Sequence, residues 1–336
     1  MADNKQYHHF SQSYLRFITV IKDCNKYFAM MNDIKNNVDA WNNIKGKYNS
    51  LRNKIMWFNY YRKAFKNFIS VISRDLKGQY PTSVILRKGG TLILNSKDEV
   101  ALFALLSVHK YVDYDYEQDL ATITIEPKKS STNRVKLYGI KQNLDAILAF
   151  DDDGTYNKLP LEEKIVIDIG ACTGDTSVLF ALCGAKKIIA VEPFPKNFQM
   201  LQKNIKENGL TDKIVPILGA CGSHSGSIII DPAYSSTMRS NLKEFDKGVS
   251  VPILTLEQIA NENAVDDAIL KLDCEGCEYD VILDANTSFL RKFSHIQIEY
   301  HSGYKNLKEK LEKSGFHILN PIIDNSTRGH ILAIRT

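Results

Sequence analysis

An apolar run that ends in an acid and opens into glycines is the first stretch of this chain that could do chemistry. Residues 165–176 read Ile-Val-Ile-Asp-Ile-Gly-Ala-Cys-Thr-Gly-Asp-Thr. The run predicts a parallel strand buried on both faces, followed by a tight turn into a helix. Glycines let a ligand approach the backbone, and a helix N-terminus offers N–H groups to a carboxylate or phosphate. The stretch therefore predicts a cofactor-binding loop.

The acid at the tip of this strand, Asp168, separates two classes of cofactor. A dinucleotide loop needs the G-x-G-x-x-G spacing, but Gly170 and Gly174 are four residues apart. A carboxylate would repel a pyrophosphate, whereas it could accept a hydrogen bond from an ammonium group. The methionine end of S-adenosylmethionine carries that ammonium beside a carboxylate, so the loop favours this cofactor.

A second acid follows the next apolar strand, which spans residues 187–191 and precedes Glu192. A carboxylate at this position can accept both ribose hydroxyls of a nucleoside. Nicotinamide enzymes also place an acid here, so Glu192 alone indicates only a nucleoside. Together with Asp168 it favours S-adenosylmethionine, although either acid alone could instead cap a helix.

The elements around these acids predict an α/β fold with three parts. Residues 1–80 have helical periodicity, residues 81–153 predict a small α+β segment, and residues 154–336 alternate strands with helices. Such alternation predicts a parallel sheet with ligands at the carboxyl edge of its strands.

Charge is unevenly distributed over the 336 residues. Residues 1–80 hold fourteen Lys and Arg against five Asp, which gives +9, and the remainder holds twenty-nine against thirty-four, which gives −5. A basic arm is compatible with an anionic partner such as nucleic acid, a glycan or a membrane surface, and equally with a helical surface that Lys residues only solubilise. The N-terminal helices are also a possible homo-oligomer contact.

The cysteines and the terminus indicate the compartment. No apolar run of eighteen residues and no signal peptide are present, so we expect a cytoplasmic protein without a transmembrane segment. The six cysteines are expected to be reduced thiols. Cys274 and Cys277 form a C-x-x-C pair without a second pair at a suitable spacing, so no metal site is predicted.

Three blocks occur in order: residues 165–176, Val-Glu-Pro at 191–193, and Leu-Lys-Leu-Asp-Cys-Glu-Gly-Cys-Glu at 270–278. With these blocks the chain resembles the FkbM family of S-adenosylmethionine-dependent methyltransferases from about residue 162 onward. The resemblance implies a Rossmann-like seven-stranded methyltransferase sheet with an antiparallel last strand, here carrying an N-terminal helical and small α+β extension. It also implies methyl transfer to a hydroxyl of a sugar, glycan or small-molecule acceptor.

Site residues follow from the resemblance position by position. Those implied to bind the cofactor are Asp168, Gly170, Ala171, Thr173, Gly174, Asp175, Glu192, Pro193, Phe194, Ala220, Cys221, Asp273 and Glu275. Within this set Glu192 binds the ribose and Phe194 lies against the adenine. The acceptor hydroxyl must lose its proton, and we favour Asp273 as the base, with His301 or Glu299 as alternatives.

Two other functions stay open at this point. The basic arm is compatible with an RNA-modifying methyltransferase, and a non-catalytic scaffold that binds the cofactor would carry the same loop. The sequence does not identify the acceptor.

Overall fold

The computed structural model describes residues 38–125, 134–150, 156, 158–234, 245–319 and 327–336. The helical stretch predicted before residue 38 and the domain boundary predicted near residue 153 lie outside the described residues. The chain divides into two compact units, one ending at Lys110 and one starting at Tyr111.

The first unit contains helices and one hairpin. Its elements are α1 Val38–Ala64, α2 Phe68–Leu76, β1 Thr82–Ile85, β2 Thr91–Leu94 and α3 Lys97–Leu106. The predicted hairpin is confirmed, since β1 and β2 pair antiparallel. The predicted start of α3 is confirmed as well, because the Ser96 hydroxyl accepts from the Glu99 backbone N–H. No described helix in either unit is long and apolar enough to cross a membrane.

The second unit is built on a seven-stranded sheet. Its strands are β6 Ile165–Ile169, β7 Lys187–Glu192, β8 Ile214–Leu218, β12 Ala268–Leu272, β13 Phe293–Tyr300, β14 Phe316–Ile318 and β15 Gly329–Arg335. Their order is β14-β15-β13-β12-β6-β7-β8. Strand β15 is antiparallel to both of its neighbours, while β13, β12, β6, β7 and β8 pair in parallel. The predicted sheet with an antiparallel last strand is confirmed.

Helices cover this sheet, and their apolar faces form its core. They are α4 Asp175–Leu182, α5 Pro195–Glu207, α6 Leu256–Glu262, α7 Cys277–Asp284, α8 Thr287–Leu290 and α9 Lys305–Lys313. Strand β12 is buried at all five positions, because helices lie on both of its faces.

Two smaller sheets complete the unit. One is antiparallel and contains β3 Val112–Asp115, β4 Leu120–Thr124 and β5 Arg134–Tyr138, followed by a 3₁₀ helix at Leu144–Phe150. The other contains β9 Ala220–Gly222, β10 Gly226–Ile230 and β11 Val249–Thr255. Strand β11 was not predicted, whereas the capping box that ends it at Thr255 was predicted and is present.

Asn204 of α5 and Asn208, which directly follows this helix, join the first small sheet to the rest of the second unit. The Asn204 amide accepts from the Tyr138 N–H at 2.7 Å and donates to the Tyr138 carbonyl at 3.0 Å. Asn208 does the same to Lys136 at 2.9 and 2.7 Å. Both amides bond the edge of β5 as a further strand would. The boundary between the two units, after Lys110, therefore lies inside the segment predicted over residues 81–153. The strands that follow this boundary belong to the second unit, to which these hydrogen bonds tie β5.

Candidate active site

The predicted cofactor loop and Asp273 are in direct backbone contact at the carboxyl edge of β6 and β12. The Asp273 N–H donates to the Ile169 carbonyl at 3.1 Å. Gly170 has φ +79°, and a Cβ placed on it would lie 1.8 Å from the Asp273 carbonyl oxygen. The structure thus brings the predicted cofactor loop and the predicted base to one place.

Asp168 lies beneath this loop, in a buried ion pair. Its Oδ1 lies 3.0 Å from the Lys271 Nζ, and its Oδ2 accepts from the hydroxyls of Thr176 at 2.7 Å and Ser177 at 2.6 Å. Asp168 is fully buried, and the Lys271 side chain is only 2% exposed. The role of Asp168 as an acceptor for the cofactor's ammonium stays a prediction, since the structure shows its carboxylate bound to protein groups.

Lys271 was not predicted as a site residue. Its ammonium also donates to the Gly170 carbonyl at 3.0 Å and lies 3.8 Å from Asp273. Burial alone would lower the pKa of Lys271, but the carboxylates of Asp168 and Asp273 outweigh it and hold this pKa well above its ordinary value. The lysine therefore stays charged and holds the start of the cofactor loop, at Gly170, in place.

The residues that follow Gly170 are held by buried polar contacts. The N–H groups of Gly170 and Ala171 both donate to the Val191 carbonyl at 3.0 Å. The Asn143 amide, which the sequence analysis missed, donates to Thr173 at 3.2 Å and to Asp175 at 2.9 Å. Burial raises the pKa of Asp175 to about 7.

Gly174 and Asp175 form the start of α4. Gly174 precedes the helix with φ +88°. A Cβ on it would lie 2.5 Å from a methyl carbon of Leu201. The turn thus packs tightly against α5 and leaves the first N–H groups of α4 at the carboxyl edge of β6.

Glu192 lies at the tip of β7, as predicted, and its carboxylate accepts from three groups. Oε2 accepts from the Cys172 N–H at 2.9 Å, and Oε1 accepts from the Phe194 N–H at 3.0 Å and the Asn197 amide at 3.3 Å. Burial raises the pKa of Glu192 to about 7, although the hydrogen bonds from these three donors lower it. The carboxylate joins the two loops that are predicted to hold the nucleoside.

The predicted adenine-side residues lie next to Glu192. The Gly219 N–H donates to the Glu192 carbonyl at 3.1 Å, which places Ala220 and Cys221 of β9 beside it. Pro193 precedes the buried Phe194, whose ring centroid is 5.5 Å from that of Tyr234. Contact between Phe194 and adenine stays a prediction.

A cluster of acids surrounds His301 at the ends of β12 and β13. Nε2 of His301 lies 3.4 Å from Glu275, 3.8 Å from Glu299 and 4.0 Å from Asp273. Its Nδ1 lies 3.1 Å from Glu278. The structure therefore brings together all three predicted catalytic residues and the predicted Glu275.

Burial and neighbouring charges set the ionisation of this cluster. Burial raises the pKa of Glu299 to about 7, and the Asp273 charge adds to the effect. Burial also raises the pKa of Glu275. Burial would lower the pKa of His301, but the hydrogen bond and charge of Glu278 raise it overall. Conversely, burial would raise the pKa of Glu278, and its bonds with His301 and the backbone lower it overall.

Glu278 shapes the turn between β12 and α7 and was missed as a site residue. Its two oxygens accept from the N–H groups of Cys274 at 3.0 Å and Gly276 at 2.8 Å. Cys274 and Cys277 are joined in a disulfide, so the expectation of reduced thiols is wrong for this pair. The tight turn fixed by Glu278 brings the two sulfurs together.

Two sequence signals could have revealed the missed residues. Lys271 is the one charged residue within the apolar strand β12, and Glu278 ends the third sequence block. Gln297, the parallel neighbour of Lys271 on β13, is 1% exposed, and its amide has no hydrogen-bond partner among the described residues. A charged residue inside an apolar strand was the signal for Lys271, whereas neither Gln297, on the mixed strand β13, nor Asn143 gave such a signal.

Replacing Glu192 by alanine is expected to weaken binding of S-adenosylhomocysteine, the demethylated cofactor. The loss of a charge-assisted bond to the ribose costs about 1.5–3 kcal/mol, roughly ten- to a hundredfold in affinity. Isothermal titration calorimetry measures the change, with Glu262→Ala on the exposed end of α6 as the control. Equal affinity in wild type and Glu192→Ala would contradict the assignment.

The same residue predicts how affinity depends on pH. Because burial raises the pKa of Glu192 to about 7, its charged form is lost as pH falls from 8 to 6. We expect S-adenosylhomocysteine affinity to fall over this interval in wild type and to fall less in Glu192→Ala. Calorimetry at both pH values tests this, and equal pH dependence in the two proteins would exclude Glu192 as its source.

Known proteins were compared with this chain. Residues 168–318 match the sequence model of the Methyltransferase FkbM domain. Protein arginine N-methyltransferase 7 from Gallus gallus is 30% identical over 132 residues, which are 39% of this chain and 17% of that protein. The chain thus spans about a sixth of the length of the curated relatives it matches.

Two solved structures are similar to part of this chain. Methyltransferase FkbM from Methylobacillus flagellatus KT is 17% identical, with a TM-score of 0.36, over 52% of this chain and 44% of that one. Aeropyrum pernix fibrillarin, solved with natively bound S-adenosyl-L-methionine, is 14% identical, with a TM-score of 0.37, over 75% and 93% of the two chains.

The donor set at the carboxyl edge fits the cofactor of the matched family. The Glu192 carboxylate lies at the position predicted to bind the ribose, a helix N-terminus lies at the position predicted to bind the cofactor's carboxylate, and glycines line the turn between them. The family match begins at Asp168, near the end of β6, and covers β7, β12 and β13, and the ends of these strands carry the groups. Residues 168–318 therefore form a domain that matches the Methyltransferase FkbM model, and the donor set at its sheet edge fits S-adenosylmethionine.

Proposed function

We propose that the protein methylates a hydroxyl group of a sugar, glycan or small-molecule acceptor. The observation that carries the proposal is the position of the acid and imidazole cluster. Oxygens of Asp273 and Glu299 and a ring nitrogen of His301 lie within 4.8 Å of one another, beside the backbone contact between Asp273 and Gly170. A hydroxyl held there meets proton acceptors next to the predicted cofactor loop.

The cofactor supplies an electrophilic methyl group on a sulfonium. The protein's own groups hold the acceptor and remove its proton. Within the cluster, the neutral form of His301 can accept a proton, because its Nδ1 faces the buried Glu278 carboxylate and its Nε2 then carries the lone pair. Positioning of this kind contributes on the order of 7–11 kcal/mol to such a displacement. General-base assistance adds roughly 10²–10⁴-fold.

His301→Ala tests this role in the full-length protein. We expect methyl transfer from cofactor with a labelled methyl group to fall by roughly 10²–10⁴-fold, with S-adenosylhomocysteine affinity unchanged. His295→Ala is the control, since His295 lies near the start of β13, the strand that His301 follows, and its ring is bonded to Ser294. Full activity of His301→Ala would remove the imidazole from the proposed mechanism.

A second candidate acceptor is the guanidinium group of arginine. Two observations favour it: the local similarity to protein arginine N-methyltransferase 7, and the acids around His301. A guanidinium pairs with carboxylates through two parallel hydrogen bonds. The same labelled assay with an arginine-containing peptide beside hydroxylated sugars separates the candidates by which acceptor carries the label.

RNA modification and a scaffold role remain as alternatives to the proposal. An RNA acceptor would carry the label, and its binding through the basic arm would weaken steeply with salt. Cofactor binding without transfer to any acceptor class would support a scaffold. We also propose a cytoplasmic location. Self-association through the N-terminal helices is a further part of the proposal, and sedimentation of the purified chain tests it by giving the mass of the species in solution.

A further inference from the structure

Three atoms of metal-ligand type meet at the end of the sheet. Nε2 of His301 lies 3.8 Å from Oε1 of Glu299 and 4.0 Å from Oδ1 of Asp273. These separations are too long for hydrogen bonds. They fall within the span of about 4.2 Å that two ligands can have when each lies about 2.1 Å from one ion. The gap between the three groups therefore has the size that a bound cation fills.

His301 is oriented as a ligand would be. Its side chain is 6% exposed, and among the described residues Nε2 has no hydrogen-bond partner. Nδ1 lies 3.1 Å from the fully buried carboxylate of Glu278, so that in the neutral imidazole Nδ1 donates and the lone pair is on Nε2. Glu278 is itself fixed by two backbone N–H groups. A metal-binding histidine typically has its far nitrogen bonded to a carboxylate in this way.

The charge around the imidazole is negative. Four carboxylates surround it, those of Asp273, Glu275, Glu278 and Glu299. Among the described residues, two permanent cations pair with these carboxylates. Lys271 lies 3.8 Å from Asp273 but is closer to Asp168, at 3.0 Å, and Arg328 lies 3.6 Å from Glu275. Two cations, of which Lys271 also pairs with Asp168, do not balance the charge of four carboxylates, whereas a divalent ion would.

We infer that Asp273, Glu299 and His301 bind one divalent cation of the Mn²⁺ type, which holds the oxygens of the acceptor. This inference rests on the proposed function. Two carboxylates and one imidazole suit an ion that accepts both oxygen and nitrogen ligands. Three protein ligands leave positions open, so the site fits an acceptor with two neighbouring oxygens, such as a vicinal diol or a hydroxy acid.

The ion would change how the hydroxyl proton is lost. A hydroxyl bound to a divalent cation has a lowered pKa, so its O–H bond breaks and the proton leaves to water. The oxygen then forms a bond to the methyl carbon, the carbon–sulfur bond breaks, and its electron pair stays on sulfur as a thioether. With the ion bound, His301 holds the ion and does not accept the proton. The prediction that the chain has no metal site considered only Cys274 and Cys277, which this site does not use.

Manganese titration of the full-length protein tests the inference. The protein is treated with a chelator, dialysed, and titrated with Mn²⁺ while electron paramagnetic resonance follows the free ion. We expect one site per chain, competed by Mg²⁺, and affinity about tenfold or more weaker in His301→Ala and Asp273→Asn. His295→Ala is expected to bind as wild type does. Calorimetry with S-adenosylhomocysteine on each variant reports whether its cofactor site is folded.

The outcomes separate this inference from the proposed function. No Mn²⁺ binding up to millimolar concentration, or binding that persists in both variants, overturns the site. Undiminished methyl transfer in the presence of chelator also overturns it and leaves the imidazole as the base. A protein that binds Mn²⁺ at this site but transfers no methyl group supports the site while the proposed function fails.

Discussion

Lys271→Met is expected to destabilise the protein by about 3–5 kcal/mol, because it leaves the Asp168 charge buried without its cation. Lys271 lies 3.0 Å from Asp168, and both side chains are almost completely buried. Methionine keeps much of the volume of the side chain and removes only the charge and the donors. Urea unfolding followed by circular dichroism measures the change in the free energy of unfolding.

Two further variants isolate the charge. Lys164→Met breaks a more exposed pair with Asp267 and should cost about 0–1 kcal/mol. Asp168→Asn combined with Lys271→Met should be more stable than Lys271→Met alone, since no unpaired charge remains. A double variant no more stable than Lys271→Met would show that the ammonium acts through its other contacts.

Gly170→Ala is expected to destabilise the protein by about 2–5 kcal/mol and to weaken cofactor binding. The left-handed backbone at φ +79° costs a non-glycine residue about 1–2 kcal/mol. The new Cβ would lie 1.8 Å from the Asp273 carbonyl oxygen, and overpacking of this kind adds about 1–3 kcal/mol. Relief of the contact must move the cofactor loop away from the end of β12.

Gly209→Ala is the matched control for this glycine. Gly209 ends α5 with φ +65°, and nothing described lies within 4 Å of the Cβ position. Its cost should be the backbone term alone, about 1–2 kcal/mol, with cofactor affinity unchanged. Urea unfolding and calorimetry of both variants give the comparison. Equal effects in the two glycines would mean that the contact between Gly170 and Asp273 is not needed for the site.

Much of the second unit's fold could be predicted because its strands are buried on both faces. The apolar run of β6 and the run before Glu192 read directly as parallel strands, and both were found. Strand β11 was not predicted because Pro252 interrupts its pattern and six of its seven residues are exposed or partly exposed. The attachment of β5 to α5 through Asn204 and Asn208 is a tertiary contact, and no periodicity in the sequence encodes it.

The site could be predicted in position but not in its pairings. Polar residues at the carboxyl ends of parallel strands meet at one edge of the sheet. Asp273, Glu299 and His301 lie close together there, as expected. The partner of each acid depends on side-chain directions that one sequence does not show. The pairing of Asp168 with Lys271, and that of Glu278 with His301, could therefore not be predicted. The disulfide between Cys274 and Cys277 likewise depends on the turn that Glu278 fixes.

Calorimetric titration of the wild-type protein with S-adenosylhomocysteine tests whether the loops at the carboxyl edge of the sheet bind this cofactor. We expect a single site per chain for this ligand and for S-adenosylmethionine, with no heat from NAD under the same conditions. Glu192 and the loop from Gly170 to Asp175 are the groups that would bind it. Folded protein that binds neither sulfur compound, or that binds NAD instead, would show that this edge is not an S-adenosylmethionine site.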